Sequence, residues 1–223
     1  MWEKSDEEIL NLKENTLKDQ KPKTMAVYNQ RIQAIRSREE TKTQKVVLGY
    51  WNFRGVHRGS ATRYLLAYSQ ANWEEKSYSM TSGDWPAAKE GLMMDFPNLP
   101  YIIVGDFKLS ETAAIHFYIA EKYCASLLGR TPQEKARVIQ LHQIGDENIM
   151  NGVKECFVEG SDKAAVTVKF MDGLAPLGNL LSDRRKFLTG ASPSIADFVL
   201  FEHIEYANQL TRDLEEKTYT RYP

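Results

Sequence analysis

The feature that most narrows the fold of this chain is a change of pattern at Lys45. Val46-Val47-Leu48-Gly49-Tyr50 is a continuous apolar run of strand length, the pattern of a short buried strand. A glycine-containing loop follows, then a helical run around Ala61–Ala71 whose spacing predicts Tyr64, Leu65 and Tyr68 facing inward. Lys76, Tyr78 and Met80 alternate as a second strand does. Pro100 to Val104, the turn Gly105-Asp106 and Phe107 to Leu109 read as a hairpin, and a helix from Glu111 to Tyr123 closes the segment.

The order β-α-β and then β-β-α is that of a thioredoxin-like α/β domain, here predicted over residues 46–126. Past Gly129 the pattern is helical throughout, which predicts an all-α bundle domain over 127–223. Thr131-Pro132-Gln133-Glu134 is a helix start, because proline suits a first turn whose amides have no intrahelical partner. That helix is predicted to run to about Val158, and a second spans Lys163–Leu181. A third opens at Ser194-Ile-Ala-Asp197 and continues through Phe198, Val199, Leu200, Phe201 and Ile204.

Residues 1–45 form a different region, dense in Lys, Glu, Gln, Asn and Thr, without glycine, and with Trp2 and Tyr28 as its aromatics. Ser5-Asp-Glu-Glu8 has capping-box spacing, in which serine and glutamate satisfy each other's orphan amides, and Ile9, Leu10, Leu12 and Leu17 follow. A second helix is predicted from near Thr24, with Met25, Tyr28, Ile32 and Ile35 on one face. The region reads either as a solvated, partly disordered tail or as an arm docked on a larger protein assembly or on its own chain. A targeting role is the third reading.

Composition excludes several classes. The chain is 42% hydrophobic and 26% charged, enough apolar matter to fill a core. A net charge of −1 offers no long-range field to nucleic acid or to an anionic membrane. No apolar run approaches the roughly 20 residues of a membrane span. The N-terminus lacks the basic and apolar regions of a secretory signal, and its early acids speak against a mitochondrial presequence. Cys124 and Cys156 have neither metal-like nor disulfide-framework spacing, so a reducing cytoplasmic location is expected. His116, His142 and His203 lie in helical runs without ligand spacing, and no metal is expected.

Specific strings carry a family resemblance. Val-Leu-Gly-Tyr-Trp-Asn-Phe-Arg-Gly (47–55) resembles the opening strand and catalytic loop of mu-class glutathione S-transferases. Asp-Phe-Pro-Asn-Leu-Pro-Tyr (95–101) is similar to the segment before that class's third strand, and Trp85, Lys89 and Asn98 stand at its spacings. Ser194-Ile-Ala-Asp197 is similar to the capping box of the core helix in the second domain. By residue chemistry alone Tyr50 is either an aromatic at a barrel edge or a functional phenol. The resemblance implies the second: Tyr50 donates its hydroxyl proton to the sulfur of glutathione and lowers the thiol pKa.

The resemblance implies the other subsites as well. Trp51 and the backbone of Val56 would line the thiol side, and Trp85 and Lys89 would hold the glycyl carboxylate. Asn98 belongs to the same pocket. Leu99, before a Pro100 expected to be cis, would pair its backbone with the cysteinyl amide. Glu111 and Thr112 open a helix whose N-terminus would receive the γ-glutamyl group. Glu147, with Asp146 adjacent, would come from the partner subunit of a homodimer. His57, in the loop, is read as a plain loop residue.

Three departures from the family pattern accompany these matches. Val56 to Arg63 is about two residues longer than the family's link. The loop before Trp85 is shortened to Thr-Ser-Gly-Asp, and Phe157 stands where many mu enzymes have a second tyrosine. The sequence ends at Pro223, where the family continues, which predicts apolar surface exposed near Phe198–Ile204. Two functions follow: a glutathione transferase acting on hydrophobic electrophiles, or a transferase-like structural or adaptor subunit docked through residues 1–45.

Overall fold

The structure, a computed structural model, describes residues 26–33, 44–52, 58–156 and 162–210. Contacts divide the chain into two units, Met1–Thr43 and Gln44–Pro223. In the first, residues 26–33 form helix α1, within the span predicted to carry Tyr28 and Ile32. The earlier candidate helix over Ser5 to Leu17, and the positions Met25 and Ile35, lie outside the described residues.

The second unit begins with β1 (Val46–Trp51), α2 (Ser60–Tyr68), β2 (Trp73–Tyr78), α3 (Asp84–Gly91), β3 (Tyr101–Val104), β4 (Phe107–Ser110) and α4 (Thr112–Tyr123). A 3-10 turn over Ala125–Leu128 leads to α5 (Pro132–Cys156) and α6 (Lys163–Leu180), and α7 (Ile195–Leu210) follows a short 3-10 turn. The sheet order is β2-β1-β3-β4, with β1 parallel to β2 and the other pairs antiparallel. This is the expected thioredoxin-like α/β arrangement followed by a helical part.

Strand parity decides what each face of the sheet does, because side chains alternate along a strand. Val46 and Leu48 pack with Ile102 and Val104 into a core shared with Leu65, Leu66, Ile115 and Ile119 of α2 and α4. Tyr101, Ile103 and Trp51 face the other way, onto Trp85 of α3. Gly49 is forced by this second face: a Cβ there would lie 2.0 Å from the Tyr101 ring. The helical part has its own core, with Leu141, Phe170, Leu174, Leu177 and Leu200. A fully buried leucine contributes about 2 kcal/mol of transfer free energy, and the two cores hold many.

Helix starts agree with the sequence signals. Thr131 Oγ1 accepts from Glu134 N–H at 3.2 Å while Glu134 accepts from Thr131 N–H at 3.2 Å, a reciprocal capping box. Asp197 accepts from the amide and the hydroxyl of Ser194, both at 2.8 Å, and from Leu188 N–H at 2.8 Å, tying the preceding turn to α7.

Two local expectations need correction, and one helix is new. Tyr68 does not face inward: it is 50% exposed, because the buried stripe of α2 runs through Ala61, Thr62, Leu65 and Leu66. Met80 is not part of β2, which ends at Tyr78 and gives way to a turn. The helix α3 was not anticipated; its first turn is fixed by Asp84, which accepts from Ser79 N–H, and by Gly83 at φ +72°.

Candidate functional site

Tyr50 lies near the C-terminal end of β1, on the same face as Val46 and Leu48, and is 5% exposed. The backbone turns back against it at Gly59, where an added Cβ would meet the Tyr50 ring at 2.6 Å. Only glycine lets the start of α2 come this close. The Arg63 guanidinium sits 5.5 Å from the ring centroid and is itself held by Glu75 through bonds of 2.8 and 2.7 Å. Burial, followed by the charge of Glu202, pushes the Tyr50 phenol up from its ordinary value. At neutral pH Tyr50 is therefore a protonated phenol, able to donate a hydrogen bond to an anion.

Across the sheet, Trp51 meets Trp85 edge to face at 6.4 Å. Trp85 also stacks on Tyr101 at 6.2 Å and meets Tyr78 at 5.2 Å, and the two tyrosine hydroxyls are hydrogen bonded at 2.7 Å. Lys89 lies one helical turn after Trp85 on α3 and is exposed. The Leu99–Pro100 peptide is cis, as expected. Asn98 Nδ2 donates to Glu111 Oε1 at 3.3 Å, joining the loop before β3 to the start of α4.

Glu111 holds the N-cap position of α4 at φ +71°, an uncommon conformation for a side chain other than glycine. Such positions cluster where a loop has to present its backbone to a ligand. Thr112 is buried as the first residue of that helix. An exposed lysine, a paired Asn98–Glu111 and a helix N-terminus give one edge of the domain donors for anionic and peptide-like groups. Val56 and His57 lie outside the described residues.

Asp146 and Glu147 occupy neighbouring positions on α5 but differ in surroundings. Asp146 accepts from Arg58 of the same chain at 2.9 Å, whereas Glu147 is exposed. Arg58 stands between β1 and α2 and brings a cation to the helical part of the chain.

Sequence reasoning missed a buried polar cluster beside Tyr50. His116 Nε2 lies 3.0 Å from Thr62 Oγ1, and His116 Nδ1 lies 3.0 Å from His142 Nε2. Glu202, 3% exposed, accepts from Ala61 N–H at 2.5 Å and lies 3.8 Å from His203 Nε2. Burial is the main reason that all three imidazoles are held below their ordinary pKa, and it pushes the Glu202 carboxyl up to about 8. The signal was present in helical periodicity: His116 adjoins Ile115, His142 adjoins Leu141, and Glu202 and His203 follow Val199 by three and four residues. Among the described residues no group of three or more His, Cys, Asp or Glu could hold a metal. No described helix is long and apolar enough to cross a membrane.

The apolar surface expected near Phe198–Ile204 is present in part. Tyr64 and Tyr68 of α2, Phe198 and Phe201 of α7, and Phe187 and Pro193 line a groove of about 500 Å³. Tyr64 meets Phe201 at 5.5 Å and Tyr68 meets Phe198 at 5.3 Å, while Val199 and Leu200 are buried.

Comparison with known proteins agrees with this arrangement. The family model "Glutathione S-transferase, N-terminal domain" matches residues 46–121, and "Glutathione S-transferase, C-terminal domain" matches 161–223. Human Glutathione S-transferase Mu 1 is 32% identical over 187 residues, covering 80% of this chain and 81% of that protein. The class-mu 26 kDa isozyme of Schistosoma japonicum is 34% identical over 163 residues, covering 71% and 72%. With both family models matched in order, and relatives above 30% identity across most of their length, the chain belongs to the glutathione S-transferase family.

Proposed function

We propose that this protein joins the thiol of glutathione to hydrophobic electrophiles, with Tyr50 as the residue that activates the thiol. The observation that carries this reading is a buried, protonated phenol at the end of β1, packed against the start of α2. A thiol with a pKa of about 8.5 is only a few per cent thiolate at pH 7. Tyr50 donates its hydroxyl proton in a hydrogen bond to the sulfur, which favours the anion. The N-terminus of α2 adds a favourable dipole. The thiolate then attacks the electrophilic carbon, forming the carbon–sulfur bond while the bond from that carbon to its leaving group breaks (the carbon–chlorine bond of a chlorinated dinitrobenzene, released as chloride), and the former thiol proton leaves to solvent.

Trp51, beside Trp85, lines the thiol side in this reading, and Val56, outside the described residues, has the same role from the resemblance alone. Trp85 and Lys89 hold the glycyl carboxylate, Leu99 pairs with the cysteinyl amide, and Asn98, Glu111 and Thr112 receive the γ-glutamyl end. A reducing cytoplasmic setting and a role in clearing reactive apolar compounds suit this chemistry. The test is joint: retention on immobilised glutathione and conjugation of a chlorinated dinitrobenzene. Both are expected of the wild type. Retention without conjugation would remove the enzyme reading in favour of an adaptor. No described feature of residues 26–33 speaks for assembly through residues 1–45, and the transferase reading stands without it.

The active form in this proposal is a homodimer. Met93 and Phe96, 82% and 78% exposed, put two large apolar side chains on the loop that leads to Asn98 and Leu99. Burying them on a second copy removes that surface from water and brings the exposed Glu147 of the partner subunit to the γ-glutamyl end. Asp146 is already engaged by Arg58 of its own chain, which favours Glu147 for the role. Phe96→Asp is expected to convert dimer to monomer in sedimentation and to weaken glutathione affinity about tenfold, the loss of a charge-assisted bond. A Phe96→Asp protein that remains dimeric would remove this loop from the interface.

A further inference from the structure

The start of α2 has an unusual cap. Its N-cap residue is Gly59, which offers no side chain to its first amides. Nothing larger fits, because the Tyr50 ring occupies the space a Cβ would need. A helix start buried in this way needs another acceptor. Glu202 supplies it from α7, more than a hundred residues away in the chain, through the 2.5 Å bond from Ala61 N–H.

We propose that Glu202 is a positioning residue for thiol activation: it caps α2 from the helical part of the chain, fixes Gly59 against Tyr50, and supports a thiolate only while its carboxyl is uncharged. This rests on the transferase reading and adds to it a group that neither touches the sulfur nor accepts its proton. The helix N-terminus carries a partial positive charge that an anion nearby can use. A carboxylate on the same amides consumes that field and places a second negative charge beside the sulfur. A neutral carboxyl keeps the hydrogen bond and leaves the field free.

The surroundings of Glu202 favour the neutral form at pH 7. Arg58 and Arg63 attract its charge, but each is already paired, with Asp146 and Glu75 respectively. Asp146 of α5 repels the charge of Glu202, as Tyr50 of β1 and Tyr64 of α2 would if ionised. Glu205 shares its helix. His116 and His142, from α4 and α5, and His203 of its own helix are buried and uncharged, so none balances a carboxylate. Burial above all, with the charge of Asp146 adding to it, holds the carboxyl at about 8, within reach of physiological pH.

The test compares glutathione with S-methylglutathione, whose sulfur cannot ionise, by titration calorimetry between about pH 6 and about pH 9. The affinity ratio of the two ligands reports thiolate stabilisation alone. In Glu202→Gln, which keeps an acceptor for Ala61, the ratio is expected to climb until the free thiol itself ionises, near pH ~8.5. In the wild type the climb is expected to stall as Glu202 ionises, leaving the ratio at about pH 9 at least about threefold below that of the variant. A purely structural role would shift both ligands alike and leave the ratios parallel, which would overturn the proposal. A wild-type ratio that reaches the free-thiol plateau overturns it without any variant. If neither ligand binds the wild type, the transferase reading itself falls, an outcome distinct from parallel ratios.

Discussion

Tyr50→Phe is expected to lower kcat/KM for conjugation by roughly 100-fold, about 2.7 kcal/mol, the usual cost of deleting one donor to a reacting anion. The aromatic ring stays in place, packed by Gly59 and faced by Arg63, and losing the hydroxyl's bond from Gly59 N–H costs about 1 kcal/mol, too little to unfold the chain. Retention on immobilised glutathione should persist, because the carboxylates of the ligand are held by Trp85, Lys89 and the start of α4 in the proposed complex. The loss falls on the thiolate fraction, so raising the pH toward the free thiol value of about 8.5 should recover part of the rate. Conjugation unchanged in Tyr50→Phe would end the assignment of Tyr50. Loss of retention along with rate would point instead to a collapsed pocket.

How far the sequence reveals this protein depends on whether a property is local. The first strand, the hairpin and the helix starts at Thr131 and Ser194 rest on neighbours within a few residues, and they are found where expected. Tyr68 departs from the inward expectation because α2 has two contacting faces. A single apolar stripe could not tell the sheet-facing Leu65 and Leu66 from the Tyr64 and Tyr68 edge that meets α7. The α3 helix escaped notice because its eight residues hold one buried side chain, Trp85, and therefore no period.

The buried cluster was illegible for a different reason. Each of its members has a bland reading on its own helix, and only the packing of α2, α4, α5 and α7 brings Thr62, His116, His142 and Glu202 together. The lengthened link after β1 read only as a departure from the family. It takes on meaning once Arg58 is seen to hold Asp146, the neighbour of the Glu147 that the resemblance assigns to a partner subunit.

The same cluster should give the protein a narrow stability optimum near pH 6.5 to 7. Three buried imidazoles have folded-state pKa values below their ordinary 6.5, so below that pH the unfolded chain binds up to three protons that the folded chain refuses. Stability from these groups is present above pH 6.5 and is lost as pH falls. Glu202 works in the opposite direction. Its folded pKa of about 8 exceeds the ordinary 4.5, so the folded chain holds one extra proton between those values. Its contribution is full below pH 4.5 and is lost as pH rises toward 8. Below pH 6.5 the imidazoles together outweigh Glu202 and stability falls with pH, by roughly 1–3 kcal/mol per pH unit for one to two net protons, and above it the proton of Glu202 gives a slope of opposite sign. For a chain of this length the acid limb corresponds to a fall in Tm of roughly 3–10 °C per unit. Glu202→Gln should abolish the alkaline limb, leaving the variant more stable than the wild type at pH 8 by up to about 4 kcal/mol while keeping the acid limb intact. Thermal unfolding at closely spaced pH values checks both limbs. A flat wild-type profile from pH 5 to pH 8 would mean that the imidazoles and Glu202 exchange protons with solvent as exposed groups do, which a closed, buried cluster does not permit.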